Sequence, residues 1–217
     1  MPNSDTSAIH SITRTLQRLI TLLFIVSMIG VVAHIERATA AEPDAFVKSM
    51  ASRALTISSD EARSDEQKHG ELRAVFQDGF DVDYIGKYVL GRYWRQATEE
   101  ERSAYLKVFE EYVVHSYAQR FAKFDGGSLQ VGRSDKFQDD VHRVQSVFKG
   151  KDGQDVRLDW FVHETPAGLR AVDVVVEGIS LRKTQRDEFM AVIRNGGGTV
   201  AGLIKDLREL VDRLKTA

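Results

Sequence analysis

The sequence predicts an α+β fold, a twisted four-stranded antiparallel sheet with helices packed around it. Three observations carry that expectation. Apolar residues recur at helical spacing from Ala41 to about Phe124, the period changes to two between Ser128 and Ser180, and it becomes helical again from Leu181 onward. Runs of helices followed by runs of strands indicate segregated layers rather than an alternating, doubly wound sheet.

The first forty residues stand apart from this pattern and read as an export signal. Arg14 and Arg18 give a positive start, Leu19 to Ala33 is an unbroken apolar run, and Ala38-Thr39-Ala40 has the small-x-small form of a cleavage site. A membrane anchor is the rival reading, but the run falls short of the about 20 apolar residues that a span needs. Residues 41–217 are then expected to form a single domain, of a size that buries a real core.

Composition narrows the function classes. The 217 residues carry a net charge of −2 and contain no cysteine. Without the leader's Arg14, Arg18, Arg37, Asp5 and Glu36 the charge becomes −3. No basic face for nucleic acid is indicated. The lack of cysteine removes thiolate metal sites and thiol nucleophiles, and a core of this size needs no disulfide. Export without an anchor or a lipid-attachment cysteine points to the bacterial periplasm.

The elements follow in order. Phe46, Met50, Ala54 and Ile57 mark a first helix. Ser64 with Gln67 forms a capping box before a second, and Thr98 with Glu101 forms another before the longest helix, which should end near Phe124 at Asp125-Gly126-Gly127. Between them Asp81 is placed to cap a short helix that breaks at Gly91. A weak strand is expected at Leu129–Arg133. Two alternating runs joined by Lys151-Asp152-Gly153 read as a hairpin, and a turn around Pro166 and Gly168 leads into the last strand. "LRKTQRDEFMAVIRN" and "VAGLIKDLRELVDRL" close the chain as helices.

Catalytic and cofactor motifs fail on spacing. Gly196, Gly198 and Ala201 mimic a dinucleotide fingerprint but lie too near the end for a βαβ unit with its acidic residue about 20 positions on. Asp81 and Asp83 are two apart, so they do not share a helix face as an acid and base pair would require. His69, His115, His142 and His163 show no zinc-ligand spacing to one another. No metal and no cofactor are expected.

The apolar pattern is more telling. Tyr105, Val108, Phe109, Tyr112, Val113, Tyr117, Phe121 and Phe124 form a broad aromatic stripe on the long helix. Leu158, Trp160 and Val162 share one strand face, as do Val172, Val174 and Val176. A solid core and a hollow one both fit these stripes. The abundant tyrosines favour a hollow, because buried phenols need partners that a wet mouth supplies. Arg92 and Arg95, around Trp94, are the expected rim, able to reach an anionic head group.

"FDVDYIGKYVLGRYWRQATEEERSAYLKVFEEYVVHSYAQRF" resembles the central signature of the MlaC family of periplasmic lipid-binding proteins associated with toluene tolerance. "VDVVVEGISLRKTQRDEF" resembles the second signature, and "GLIKDL" near the end extends the likeness across the whole exported part. Tyr84, Val89, Leu90 and Trp94 match the first signature, and Val174, Val176 and Gly178 the second. Family members often carry aromatics where this chain has Val172 and Gln185.

The resemblance implies a sheet and helices wrapped as a nuclear-transport-factor-like cone around an apolar cavity. It implies a monomeric, non-enzymatic carrier of phospholipid between an outer-membrane lipoprotein complex and an inner-membrane ABC transporter complex, which maintains outer-membrane lipid asymmetry. The expected lipid-binding wall is Tyr84, Val89, Leu90, Trp94, Phe109, Val113, Tyr117, Leu158, Trp160, Val162, Val172, Val174 and Val176. Two alternatives stay open at this point. One is the same carrier with a hopanoid or other apolar cargo, and the other is an isomerase-type enzyme using His115 or His142 with a carboxylate.

Overall fold

The computed structural model describes residues 42–122, 127–150 and 153–215. The expected leader, Phe124, Asp125, Gly126, Lys151, Asp152 and the side chain of Phe121 lie outside the described residues. Five helices come first: α1 Pro43–Ser59, α2 Asp65–Gly79, α3 Val82–Leu90, α4 Arg92–Gln96 and α5 Glu99–Ala122. A sheet follows, with β1 Ser128–Gln138, β2 Val141–Lys149, β3 Asp155–Thr165, β4 Gly168–Val176 and β5 Ile179–Ser180. Helices α6, Leu181–Asn195, and α7, Val200–Lys215, complete the fold.

Local chemistry sets most of the helix starts. Ser64 Oγ accepts the Gln67 N–H at 3.3 Å while Gln67 Oε1 accepts the Ser64 N–H at 2.9 Å, a reciprocal box that satisfies two orphan donors. Thr98 and Glu101 repeat it ahead of α5. Asp81 Oδ1 caps α3 through the Tyr84 N–H at 2.9 Å, and its Oδ2 lies 3.0 Å from Nε2 of His163 on β3. One carboxylate therefore starts a helix and ties it to the sheet.

The sheet is antiparallel throughout with strand order β1-β2-β3-β4-β5. It has five strands where the sequence predicts four. The fifth is the two-residue Ile179–Ser180, paired as Val176↔Ile179 and Val175↔Ser180 around Glu177 and Gly178, at φ 48° and 84°. Positive φ at both central residues is the geometry of a tight primed hairpin, and two residues are too few to show alternation in sequence. β1 also runs on to Gln138, past the expected Arg133, held by its pairing with β2; its second half is exposed and lacks the apolar alternation that would have revealed it in sequence.

Register on β4 contains one irregularity that shapes the interior. Phe161 pairs with Asp173 but Val162 pairs with Ala171, so Val172 is an extra residue. Such a bulge turns the strand locally. Leu169 and Ala171 consequently join the packed layer, while Val172 and Asp173 are both buried as well.

Two apolar clusters hold the molecule. One packs α1 and α2 on the sheet through Val47, Met50, Val75, Val144, Trp160, Val162 and Ala171. The other is helical, joining α3 to α7 around Val89, Leu90, Tyr93, Tyr105, Phe109, Phe189 and Leu203. Helices α3 and α5 cross closely at Gly86, where a Cβ would stand 2.6 Å from Leu106 Cδ2. Tyr105 donates its hydroxyl to the Gly86 carbonyl at 3.2 Å, and burial pushes that phenol well above its ordinary pKa.

Candidate functional site

A cavity of about 400 Å³ lies at the seam between the two clusters. That volume is in the range of small-molecule sites. Helix α1 contributes Met50, Ala51, Ala54 and Leu55, and α2 contributes Leu72, Val75 and Phe76. Phe80 and Ile85 come from the α2–α3 region, and Phe109, Val113, Val114 and Tyr117 from α5. The sheet supplies Leu129, Phe148, Val156, Leu158, Trp160, Val172, Asp173, Val174 and Val176, and α6 supplies Leu181, Arg182 and Gln185.

The long helix explains how a solid core and a hollow coexist. Its first half, Tyr105 and Val108, packs tightly in the helical cluster, and Phe109 and Val113 belong to that cluster while also reaching the cavity. Val114 and Tyr117 continue along the wall. A stripe read from sequence shows burial but not whether the opposite side is protein or space.

Trp160 forms part of the sheet wall with its one polar atom satisfied. Its Nε1–H donates to Ser146 Oγ at 3.0 Å, and that hydroxyl donates to the Leu158 carbonyl at 3.3 Å. The aromatic face is thereby offered to the cavity with no orphan donor.

Of the wall residues expected from sequence, Phe109, Val113, Tyr117, Leu158, Trp160, Val172, Val174 and Val176 line the cavity. Tyr84, Val89, Leu90, Trp94 and Val162 do not. Val89 and Leu90 are fully buried in the helical cluster, and Val162 is fully buried between α1, α2 and the sheet. Tyr84 is 45% exposed, its ring 5.3 Å from that of His163. Trp94 fills the corner between α3 and α5, with the Arg102 guanidinium over its ring at 5.4 Å and Arg102 Nε donating to its carbonyl at 2.9 Å.

The expected rim of Arg92 and Arg95 is likewise elsewhere. Both are exposed and outside the lining. Arg92 folds back on its neighbour, donating to the Tyr93 hydroxyl at 3.1 Å. Clustering along the chain placed these arginines beside a tryptophan, but α4 presents them away from the hollow.

The charged and amide side chains of the lining are Asp173, Arg182 and Gln185. Sequence reading passed over them as a site. The signal available was the pairing of Arg182 with Gln185, three apart at the start of a helix entered straight from the last strand. Asp173 Oδ2 accepts the Ser180 hydroxyl at 2.6 Å and its Oδ1 accepts the Arg182 N–H at 3.1 Å. The Arg182 guanidinium lies over the Tyr88 ring at 4.2 Å.

The histidines lie apart from this site. His115 on α5 meets His69 of α2 edge to face at 5.0 Å, and neither these two nor His142 lines the cavity. Desolvation, reinforced by His69, Lys215 and Arg73 against an opposing Glu111, holds His115 below its ordinary value. Among the described residues no three ligating side chains group in a way that could hold a metal ion, and no helix is long and apolar enough to cross a membrane.

Two comparisons bear on this arrangement. A family model described as MlaC protein matches residues 48–209, three quarters of the chain. The fold is similar to the solved structure of a phospholipid-binding protein from Ralstonia solanacearum in complex with a phospholipid. The TM-score is 0.72 at 26% identity, covering 81% of this chain and 99% of that one.

Proposed function

Because this chain belongs to the MlaC family, we propose that it is a lipid carrier that holds the acyl chains of a phospholipid in its interior. The observation that carries this reading is the cavity of about 400 Å³, walled by aliphatic and aromatic side chains from both layers. The phospholipid seen with the similar Ralstonia solanacearum protein supports it. The sheet and helices then act as a cone closed around the tails.

Physical chemistry explains why such a device is needed. Two acyl chains hold roughly 30 methylenes, and at about 0.8 kcal/mol each their exposure to water costs on the order of 25 kcal/mol. Unassisted passage across an aqueous compartment is negligible at that cost. A carrier hides the tails in a dry wall and binds them about as well as a bilayer does, so each transfer is nearly balanced. No bond is made or broken, and the acid–base candidates His115 and His142 stand outside the lining.

The full proposal places the protein in the periplasm, exported by the leader at residues 1–40. There it works as a monomer between an outer-membrane lipoprotein complex and an inner-membrane ABC transporter complex, maintaining outer-membrane lipid asymmetry. The test is direct. Protein purified without detergent, then denatured and extracted, should release phospholipid at near-stoichiometric amounts by mass spectrometry. Repeated preparations free of lipid would sink the reading.

A further inference from the structure

Helix α3 buries Gly86, Val89 and Leu90 on one side and carries Tyr84, Lys87 and Tyr88 on the opposite one, at i, i+3 and i+4 spacing. Helix α6 lays two arginines against those rings. The Arg182 guanidinium stands over Tyr88 at 4.2 Å and over Tyr84 at 5.7 Å, and Arg186 stands over Tyr88 at 5.0 Å. Lys87 reaches the Trp94 ring of α4 at 5.5 Å, so α3, α4 and α6 meet in one run of rings and cations.

Much of the positive charge on this face is unanswered. Lys87, Arg92, Arg95 and Arg186 form no ion pair among the described residues. The neighbouring acids are engaged or few. Asp173 pairs with Arg182, Asp187 with Lys183 and Glu99 with Arg102, and Glu101 accepts the Thr98 N–H, which leaves Asp83 and Glu100. The whole chain has a net charge of −2, so the excess is local.

Exposed apolar groups lie beside this charge. Tyr84 is 45% exposed beneath the Arg182 guanidinium, and Ile179, three positions before Arg182, is 61% exposed. Arg182 also lines the cavity, so the face adjoins the hollow. Lysine and arginine interleaved with tyrosine, tryptophan and an exposed aliphatic suit the head-group layer of an anionic bilayer. Cations meet the phosphates there, while amphipathic rings sit between the heads and the tails.

We propose that the α3–α4–α6 face, with Ile179 beside it, docks the protein on an anionic lipid surface and sets the edge of the cavity against it. The choice of a lipid surface over an acidic protein rests on the carrier reading, since the cargo resides in bilayers, and on Ile179, which the head-group layer can bury.

The experiment is cosedimentation of the exported chain with vesicles of phosphatidylcholine, alone or mixed with phosphatidylglycerol. Binding to the mixed vesicles should be about tenfold tighter and should weaken as salt rises. Lys87→Gln/Arg95→Gln should lose about tenfold, and Ile179→Ser about threefold at any salt concentration. Lys136→Gln/Lys205→Gln removes the same charge from β1 and α7 and should change nothing. All five positions are exposed, so the fold tolerates these changes. Equal binding to both vesicles, binding to neither, or an equal loss in the control pair overturns the proposal. Retention on polyglutamate that Lys87→Gln/Arg95→Gln abolishes, without vesicle binding, assigns the face to an acidic protein and overturns it too. Phospholipid extracted from the same preparation reads the carrier function separately. Lipid-loaded protein that ignores vesicles sinks the docking face alone, whereas vesicle binding by protein that never yields lipid sinks the carrier reading and leaves the face standing.

Discussion

The Arg186 guanidinium rests on the bare Cα of Gly91: a Cβ there would stand 2.9 Å from Arg186 Cζ. Gly91 also adopts φ 55° and ψ −124°, which side-chain-bearing residues avoid. The break between α3 and α4 is thus the seat of an arginine that fastens α6 to α3, next to Arg182.

Gly91→Ala should therefore destabilise the protein by about 1–3 kcal/mol through backbone strain alone, with displacement of Arg186 adding to it. At this size each kcal/mol lowers the melting temperature by about 2–4 °C. Calorimetry on the variant measures the shift. An unchanged melting temperature would show that Arg186 and the turn yield freely.

Ser146→Ala removes the acceptor for the buried Trp160 N–H, which has no other hydrogen-bond partner among the described residues. Leaving that donor unsatisfied costs about 1–3 kcal/mol. Chemical denaturation should show a lower midpoint with an unchanged slope. Ser146→Thr, which keeps the hydroxyl, should recover most of the loss.

Ala54 is a small residue of α1 on the cavity wall. Ala54→Trp should fill much of the hollow and lower phospholipid retention by about tenfold or more, the equivalent of a few lost methylene contacts. Far-ultraviolet circular dichroism should stay unchanged. Native mass spectrometry reads the bound fraction, and full occupancy in a folded Ala54→Trp protein would place the lipid elsewhere.

Stability should fall on acidification through the His69–His115 contact. His115 is held below its ordinary value first by desolvation, then by His69, Lys215 and Arg73, with Glu111 opposing. A base with a depressed folded pKa takes up fewer protons folded than unfolded. Its contribution is present above the unfolded value of about 6.5 and is lost as pH falls through the lower folded value. The denaturation midpoint should drop between pH 7 and pH 5, and His115→Gln should flatten that drop.

Much of the architecture was legible because its determinants are local. Ser64 with Gln67, Thr98 with Glu101, and Asp81 cap the helices they were expected to cap. The change of period at Ser128 marks the start of the sheet. β5 was not legible because two residues carry no period, and its turn uses Glu177, a residue that seldom takes positive φ.

The cavity lining was legible only in part, for a different reason: eight of the thirteen expected wall residues reach it, and the wall supplied by α1 and α2 was not expected. Periodicity identifies which side chains turn inward, and Leu158, Trp160, Val174 and Phe109, expected on that ground, line the cavity. It says nothing about what they face, so Val89, Leu90 and Val162 looked the same and prove to be solid packing. Charge clustering in sequence drew attention to Arg92 and Arg95. The arginine that reaches the cavity is brought there by the docking of α6 beside β4, a relation no linear spacing encodes.

The strand order has a kinetic consequence. Each strand lies beside its sequence neighbour, so every pairing closes a short loop and loses little chain entropy. The sheet can zip up one hairpin at a time. The associations that span more sequence are those of α1 with β1 and β2 and of α7 with α5, and contacts of longer range are the ones expected to limit the folding rate.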